Sequence, residues 1–329
     1  MSDYYTVVWE SVKGNSLDNR KFAIIDVTEN SRCEIAKIIS VIGEMNPKII
    51  GLDVTTTYTE ENLTDTLWVA AIRSISNIVL PVEYCKNSQG EDVFLYSTFK
   101  EQFDGKRFGI VSFPNNRDIL RTFRPIFHQG ALTYDSFSCA IADEIGVDIS
   151  SVLKKNKVLI NYTTLNLSDD DDIPGSDFLY LDSLKQSFLH SEIAGKIVLI
   201  GSTHLTNDQH TTPLGYNLSG LMIHAHIINS LIEERSITTI PTVLRFIICF
   251  FVAFLTLMWY YTHKSPVICT DTIGKQIIVS SIPFVASLIV FSIAGTWVFC
   301  KFNYYVDFSP YIVTFILLYF LKDKKIKSK

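Results

Sequence analysis

The sequence lacks the short motifs by which many enzymes and metal centres are recognised. Its six cysteines are scattered without a CxxC spacing, so we expect neither a zinc site nor a disulfide framework. No GxxxxGKS/T, GxSxG or HExxH run is present, which removes the usual signatures of phosphate-loop proteins, serine hydrolases and zinc peptidases. We therefore predict no enzymatic activity, no catalytic residues and no cofactor.

Basic residues form no cluster outside the carboxyl-terminal tail. The formal net charge is −5, and no basic stripe runs through the first 240 residues, so a nucleic-acid partner is not expected. The amino-terminal segment MSDYYTVVWESVKGN also has neither the basic start nor the apolar run of a secretory signal. Nothing in that segment would export the domain that follows it.

Long apolar stretches, by contrast, are concentrated in the last 90 residues. They cover about 242–261, 277–300 and 305–321, and their lengths predict three membrane spans. The first contains Arg245 close to its end, and the third is short and contains Pro310. The sequence thus predicts a soluble domain over 1–238 and a membrane region over 239–329 that ends in a lysine-rich tail.

The orientation follows from the lysines of that tail, because short lysine-rich segments stay on the cytoplasmic side of a membrane. With three spans, a cytoplasmic tail places residues 1–238 outside the cytoplasm. Since the amino terminus has no export signal, we expect an upstream helix that precedes Met1. The alternative is that the domain stays inside and the tail violates the charge rule.

Short apolar strands alternate with amphipathic helices in the first domain. The segments FAIIDV (22–27), KIIGLDV (48–54) and NIVLP (77–81) read as strands, and the residues between them carry apolar side chains at helical spacing. KIVLIGS (196–202) is the strongest strand of the chain. The predicted fold class is therefore α/β, a mostly parallel sheet with flanking helices, followed by a three-helix transmembrane region.

Three aspartates fall at or beyond the carboxyl ends of predicted strands, where open parallel sheets bind ligands. They are Asp26, Asp53 and Asp208, and together they could bind a cation or another polar ligand. The alternative is that they cap helices or hold turns, as such aspartates often do.

Four histidines lie close together in the sequence near Asp208. They are His204, His210, His224 and His226. Their spacing matches no rigid ligand pattern, and His224 and His226 point to different faces of a helix. We therefore predict no metal site.

The segments GKIVLIG, TPLG and GLMIHA, with NNRDILRTFRP before them, resemble the CHASE-type sensor domain of the second type. The resemblance covers about residues 20–235. Its motif positions are Gly195, Gly201, Asp208, Thr212, Pro213, Gly220, His224 and Ala225, with Arg121 in the earlier segment. Domains of this family are the extracellular input modules of bacterial cyclases, histidine kinases and related receptors. Members usually begin with a spanning helix and often continue into an output domain, so we expect the output here to come from another polypeptide.

The resemblance implies sensing, with no agreed ligand. Our candidate ligand-binding residues are Asp26, Asp53, Arg121, Asp208, Thr212 and His224, and our structural residues are Gly195, Gly201, Pro213 and Gly220. We expect a receptor in the cell membrane that binds an unknown small-molecule signal and transmits it through its spans to a separate effector. The expected partners are the lipid bilayer and that effector, with a homo-oligomer as a further option.

Two other functions stay open at the level of sequence. The chain could be a membrane scaffold subunit of a multi-protein defence or stress complex, with no small-molecule ligand. It could also be an enzyme that uses a pocket at the strand ends, which would require a nucleophile and a base in contact there.

Overall fold

The computed structural model describes residues 21–55, 63–88, 92–96, 100–113, 119–129, 132–162, 165, 172–215, 217–239 and 241–262, and a few positions between 289 and 311. They fall into two compact units. One unit spans Glu10–Ser236, and the other comprises Met1–Trp9 and Ile237–Lys329.

A largely parallel sheet forms the centre of the Glu10–Ser236 unit. Its strands are β1 (Phe22–Asp26), β2 (Ile49–Asp53), β3 (Ile78–Lys86), β4 (Asp92–Tyr96), β5 (Arg107–Ile110), β10 (Ile173–Pro174) and β11 (Ile197–Gly201). The order is β10-β1-β11-β2-β3-β4, with β5 also paired to β3, and only β4 is antiparallel. The α/β part of the predicted fold class agrees with this sheet, because β1, β2, β3 and β11 form at the predicted apolar segments.

Helices cover both faces of the sheet. They are α1 (Arg32–Glu44), α2 (Leu63–Ser74), α3 (Phe137–Glu144), α4 (Ser150–Leu153), α5 (Ser183–Ile193) and α6 (Gly220–Ile232). Helices α1 and α2 share one core with Ile25, Leu52 and Ile200, whereas α3 and α6 share another with Ile24 and Leu199. Alternate residues of one strand thus serve the two faces, as strand geometry requires.

Local sequence explains where the two most regular helices begin. At the start of α1, Ser31 accepts a hydrogen bond from the Glu34 backbone while the Glu34 side chain accepts one from Ser31, a reciprocal capping box. At the start of α6, the Ser219 side chain accepts from the Met222 backbone. Every residue of α6 from Gly220 to Leu231 is buried. The reason is that α3 and the sheet cover one side of it and a second apolar cluster around Phe123 and Ile160 covers the other.

Short antiparallel pairs complete this unit. They are β6 (Thr122–Phe123) with β9 (Val158–Leu159), β7 (Ile126–Gln129) with β8 (Leu132–Asp135), and β12 (Gln209–Thr211) with β13 (Asn217–Ser219). The pair β12 and β13 leads directly into α6.

The second unit contains helix α7 (Thr242–Thr262), and β14 (Thr238–Thr239) paired in parallel with β15 (Tyr304–Tyr305). Large apolar side chains are exposed along α7. They are Val243, Leu244, Phe246, Ile247, Ile248, Phe250, Phe251, Phe254, Leu255 and Met258. Cys249 and Ala253 are buried.

The prediction of a three-helix transmembrane region is wrong. Within the part of the chain that the structure describes, no helix has both the length and the apolarity needed to cross a bilayer. The first predicted span forms α7. The predicted spans 277–300 and 305–321 lie almost entirely outside the described residues.

Candidate functional site

The carboxyl ends of β1, β11 and β2 form one row. Asp26 pairs in register with Gly201, and Gly201 pairs with Asp53. Because paired positions of a parallel sheet point to the same face, the two aspartates lie on the face that carries α6. Gly201 leaves room between them, since a Cβ there would lie 3.1 Å from the Asp53 carbonyl oxygen and 3.1 Å from Leu221 of α6. The expected convergence of Asp26 and Asp53 at one edge is therefore present.

Asp26 is held by a set of hydrogen bonds. Its Oδ1 accepts from the Thr28 hydroxyl at 2.5 Å, the Thr28 backbone at 3.2 Å and the Thr203 backbone at 3.0 Å. Burial alone would raise the pKa of Asp26, but these bonds outweigh it and bring the pKa below its usual value. The bonds from Thr28 make Asp26 a turn-forming residue, which is the alternative that the sequence left open.

Asp53 has the opposite environment. No described residue donates a hydrogen bond to its carboxyl group or forms an ion pair with it. Burial, and then the negative charges of Asp208 and Glu83, raise its pKa to about 8. At neutral pH this carboxyl group is therefore mostly protonated.

Asp208 connects this edge to α6. A Cβ at Gly220, the first residue of α6, would lie 2.8 Å from Asp208 Oδ1 and 3.0 Å from Oδ2. Only glycine allows the carboxylate to approach the start of the helix so closely, and the positive end of the helix dipole favours a negative charge there. On its other side, Asp208 Oδ1 lies 3.6 Å from Nε2 of the buried His210.

His224 lies in the interior, one turn into α6. Its Nδ1 is 2.8 Å from the Ser138 hydroxyl and its Nε2 is 3.1 Å from the Val111 carbonyl oxygen. Since a carbonyl can only accept, Nε2 carries the proton and Nδ1 accepts from Ser138. The ring stacks on Phe113 with centroids 4.6 Å apart. Burial lowers its pKa to about 4, so His224 is neutral. Its two hydrogen bonds connect α6 to α3 and to the residue after β5.

A small cavity adjoins His224. Its volume of about 10 Å³ would hold roughly one water molecule. The lining residues are Ile110, Ser112, Phe113, Phe123, Arg124, Ser136, Ser138, His224 and Ile227. The cavity is too small for a metabolite, so it offers no room for a ligand beside His224.

The remaining predicted residues are spread over the unit. Thr212 is buried, and its carbonyl accepts from the Gly215 backbone. The segment of Arg121 lies beside β12, where the Leu120 backbone donates to Thr211, and the Arg121 guanidinium donates to the Ile119 carbonyl.

The predicted structural residues Gly195 and Pro213 both lie in loops, one in a left-handed conformation and one buried. Gly195 has a φ of 72°, a left-handed conformation that favours glycine, in the turn from α5 to β11 at the opposite end of the sheet. Pro213 is buried in the loop after β12.

Sequence reasoning missed several residues of the strand-end edge. Asp172, before β10, lies 3.3 Å from the Nε2 of His204 and accepts from the Thr203 hydroxyl. Glu83 acts on Asp53 from β3. Only the position of β10 beside β1 brings Asp172 to this edge, and no local sequence signal predicts that pairing.

Comparison with known proteins gives one result at the level of a family. No curated protein and no solved structure matches the chain. A family model, the CHASE2 domain, matches residues 15–259, which is about three quarters of the sequence and includes the strand-end edge and α6. The chain therefore belongs to the CHASE2 family, whose domains are sensors and are typically extracellular.

Proposed function

We propose that this chain is a sensor that binds a positively charged small molecule at Asp53 and Asp208 and transmits the binding event through α6 to a separate effector protein. The observation that carries the proposal is the Asp53 carboxyl group, to which no described residue donates a hydrogen bond or brings an opposite charge. It faces Asp208 and Glu83, and no described lysine or arginine pairs with Asp53 or Asp208. A ligand with a cationic group would supply the missing charge.

The coupling to α6 rests on the position of Asp208. Its carboxylate lies against Gly220, so a ligand that draws Asp208 toward itself changes the contact at the first residue of α6. The far end of the helix is followed by Glu233, which pairs with Lys21 at 3.2 Å and Arg235 at 3.3 Å. In this proposal α6 has two arrangements in equilibrium, one without ligand and one with it. A ligand shifts that equilibrium only as far as its affinities for the two arrangements differ.

The direct test is calorimetric titration of the full chain with organic amines (ethanolamine, putrescine and spermidine) at pH 7 in two buffers of different ionisation enthalpy. Because Asp53 is mostly protonated at this pH, binding a cation releases about one proton, and the measured heat depends on the buffer. We expect Asp53→Asn to abolish both binding and proton release. The matched control is Asp104→Asn, an exposed aspartate in a turn before β5.

Absence of any Asp53-dependent binding would reject the ligand class. If the chain then co-purified with one stoichiometric partner and carried no small molecule, the scaffold function would replace the sensor function. If binding occurs, a pull-down with and without the amine, in wild-type and Asp53→Asn forms, identifies the effector as the protein whose recovery changes only in the wild type.

We also infer that the Glu10–Ser236 unit works outside the cytoplasm, as is typical of its family, and that the exposed apolar side chains of α7 contact lipid. Exposed apolar surface of this extent usually marks an interaction site. A reporter that is active only outside the cytoplasm, fused to Met1, tests the location outside the cytoplasm, and an inactive reporter would refute it.

Quenching of a fluorophore attached at Phe250→Cys by brominated lipid tests the contact of α7 with lipid, with His128→Cys as the control. Equal quenching at the two positions would refute lipid contact.

A further inference from the structure

We propose that Asp26, Asp172 and His204 form a binding site for one divalent transition-metal cation of the Zn²⁺ or Mn²⁺ type. The three residues come from separate segments: the end of β1, the residue before β10, and the loop after β11. Strand β10 is two residues long and pairs with Ile25 and Asp26 at the end of β1. Because β1 also pairs with β11, all three segments meet at the carboxyl end of β1.

The distances between the donor atoms fit a shared ion. One carboxylate oxygen from each aspartate and one imidazole nitrogen lie within 4.8 Å of one another, and His204 Nε2 is 3.3 Å from Asp172 Oδ2. Ligand atoms at about 2.1 Å from a metal lie roughly 3 to 4 Å apart. The group therefore needs only a small closure to bind an ion.

Neighbouring side chains hold the two carboxylates in place. Thr203 donates its backbone N–H to Asp26 and its hydroxyl to Asp172, so one residue positions both. Thr28 also donates to Asp26, and it contacts the Ser202 hydroxyl at 2.7 Å. A carboxylate has about four lone-pair directions, so these bonds still leave room for a metal. His204 follows Thr203 directly, which places the imidazole beside the carboxylates.

The donor set indicates the class of ion. Two carboxylate oxygens and one imidazole nitrogen suit Zn²⁺ or Mn²⁺ better than Ca²⁺ or Mg²⁺, which prefer oxygen ligands only. The His204 side chain is 55% exposed whereas that of Asp172 is 10% exposed. Asp172 would thus bind the ion from the interior, and the side of the ion near His204 would be accessible to water or to a second ligand.

This site does not depend on the proposed signal site. It uses no contact of Asp53, Asp208 or α6, and its ligands lie on the β10 side of Gly201. A failure of amine binding at Asp53 would leave it intact.

The test is titration of the chelator-treated full chain with Mn²⁺, with free Mn²⁺ followed by electron paramagnetic resonance, and then competition by Zn²⁺. We expect one Mn²⁺ per chain, displaced by Zn²⁺. His204→Ala and Asp172→Asn should each weaken the affinity at least about tenfold, because each removes one of three protein ligands. The matched controls His128→Ala and Asp104→Asn, both exposed and elsewhere in the unit, should leave the affinity unchanged, as should Asp53→Asn.

His204→Ala keeps the experiment interpretable, since an exposed side chain can be removed without disturbing the core. Its melting temperature without metal should equal that of the wild type, and only the wild type should gain stability on adding Mn²⁺. The proposal is overturned if neither metal binds, or if His204→Ala and Asp172→Asn bind with wild-type affinity and stoichiometry.

Discussion

Asp26 and Asp53 end two neighbouring strands in the same way, yet the fold gives them opposite chemistry. Each follows an apolar run, and each pairs in register with Gly201. Asp26 receives hydrogen bonds from Thr28 and Thr203 and has a lowered pKa, whereas Asp53 faces two other carboxylates and has a pKa of about 8. The pKa and the hydrogen bonds of a strand-end aspartate therefore depend on the residues beyond the strand end and not on the strand itself.

The difference arises from which loops reach each strand end. The loop after β1 contributes Thr28 and the loop after β11 contributes Thr203, both with groups that can donate. Asp53 is reached instead by Asp208 from the same β11 loop and by Glu83 from β3, which contribute negative charge. The loop after β11 therefore stabilises the charge of Asp26 through Thr203 and disfavours the charge of Asp53 through Asp208, five positions further along.

The largest effect is expected from Asp26→Ala. This change leaves the Thr203 backbone N–H and the Thr28 donors without their acceptor, so the free energy of unfolding at pH 7 should fall by roughly 3 kcal/mol. Urea denaturation of the full chain measures it, with Asp104→Ala as the control for loss of an exposed carboxylate. A loss no greater than in the control would show that the Asp26 bonds contribute little.

Asp53→Asn should have a smaller effect of opposite sign. A carboxyl group whose pKa is raised on folding keeps its proton in the folded chain while the unfolded chain ionises, so its contribution to stability falls as the pH rises from about 4 to about 8. The amide removes this penalty, which the three pH units between 4 and 7 put at about 4 kcal/mol at most. Because Asp53 is partly exposed to water, which screens it, we expect a gain of roughly 2 kcal/mol at pH 7 and no difference near pH 4. For Asp26, whose pKa is lowered, the stabilising contribution is instead lost as the pH falls below about 4. Denaturation curves between about pH 2 and pH 8 test both signs, and a destabilised Asp53→Asn variant at pH 7 would contradict the account.

The smallest effects should come from the neighbours of Asp53. Asp208→Asn removes the larger of the two repulsive charges, so the pKa of Asp53 should fall, and Glu83→Gln should lower it less. Titration of the Asp53 carboxyl carbon by nuclear magnetic resonance measures both shifts. Equal shifts, or the reverse order, would mean that the charges are arranged differently around Asp53.

Much of the fold could be predicted from the sequence because its signals are local. The apolar runs that end at Asp26, Asp53 and Gly201 form β1, β2 and β11, and the CHASE-type resemblance was confirmed at the level of the family. The predicted three-helix membrane region was wrong, because no helix among the described residues has both the length and the apolarity needed to cross a bilayer.

The candidate site was only partly predictable. Asp26 and Asp53 were expected at one edge from the parallel order, and they lie there. The sequence could not predict that His204 lies beside Asp172. The residue before His204, Thr203, donates its hydroxyl to Asp172 from 31 positions away, and only the pairing of β10 with β1 brings the two segments together. His224 was grouped with the ligand residues, but α6 carries it into the core.

By itself, the sequence determined the parallel α/β sheet, its acidic carboxyl edge and the family, because these follow from apolar periodicity and from motif residues that lie close together along the chain. The tertiary structure decided the charge state of each aspartate, the burial of His224 and the meeting of Asp26, Asp172 and His204. These properties depend on which distant groups surround a side chain, and the desolvation and electric field that set a pKa arise only when those groups have packed together.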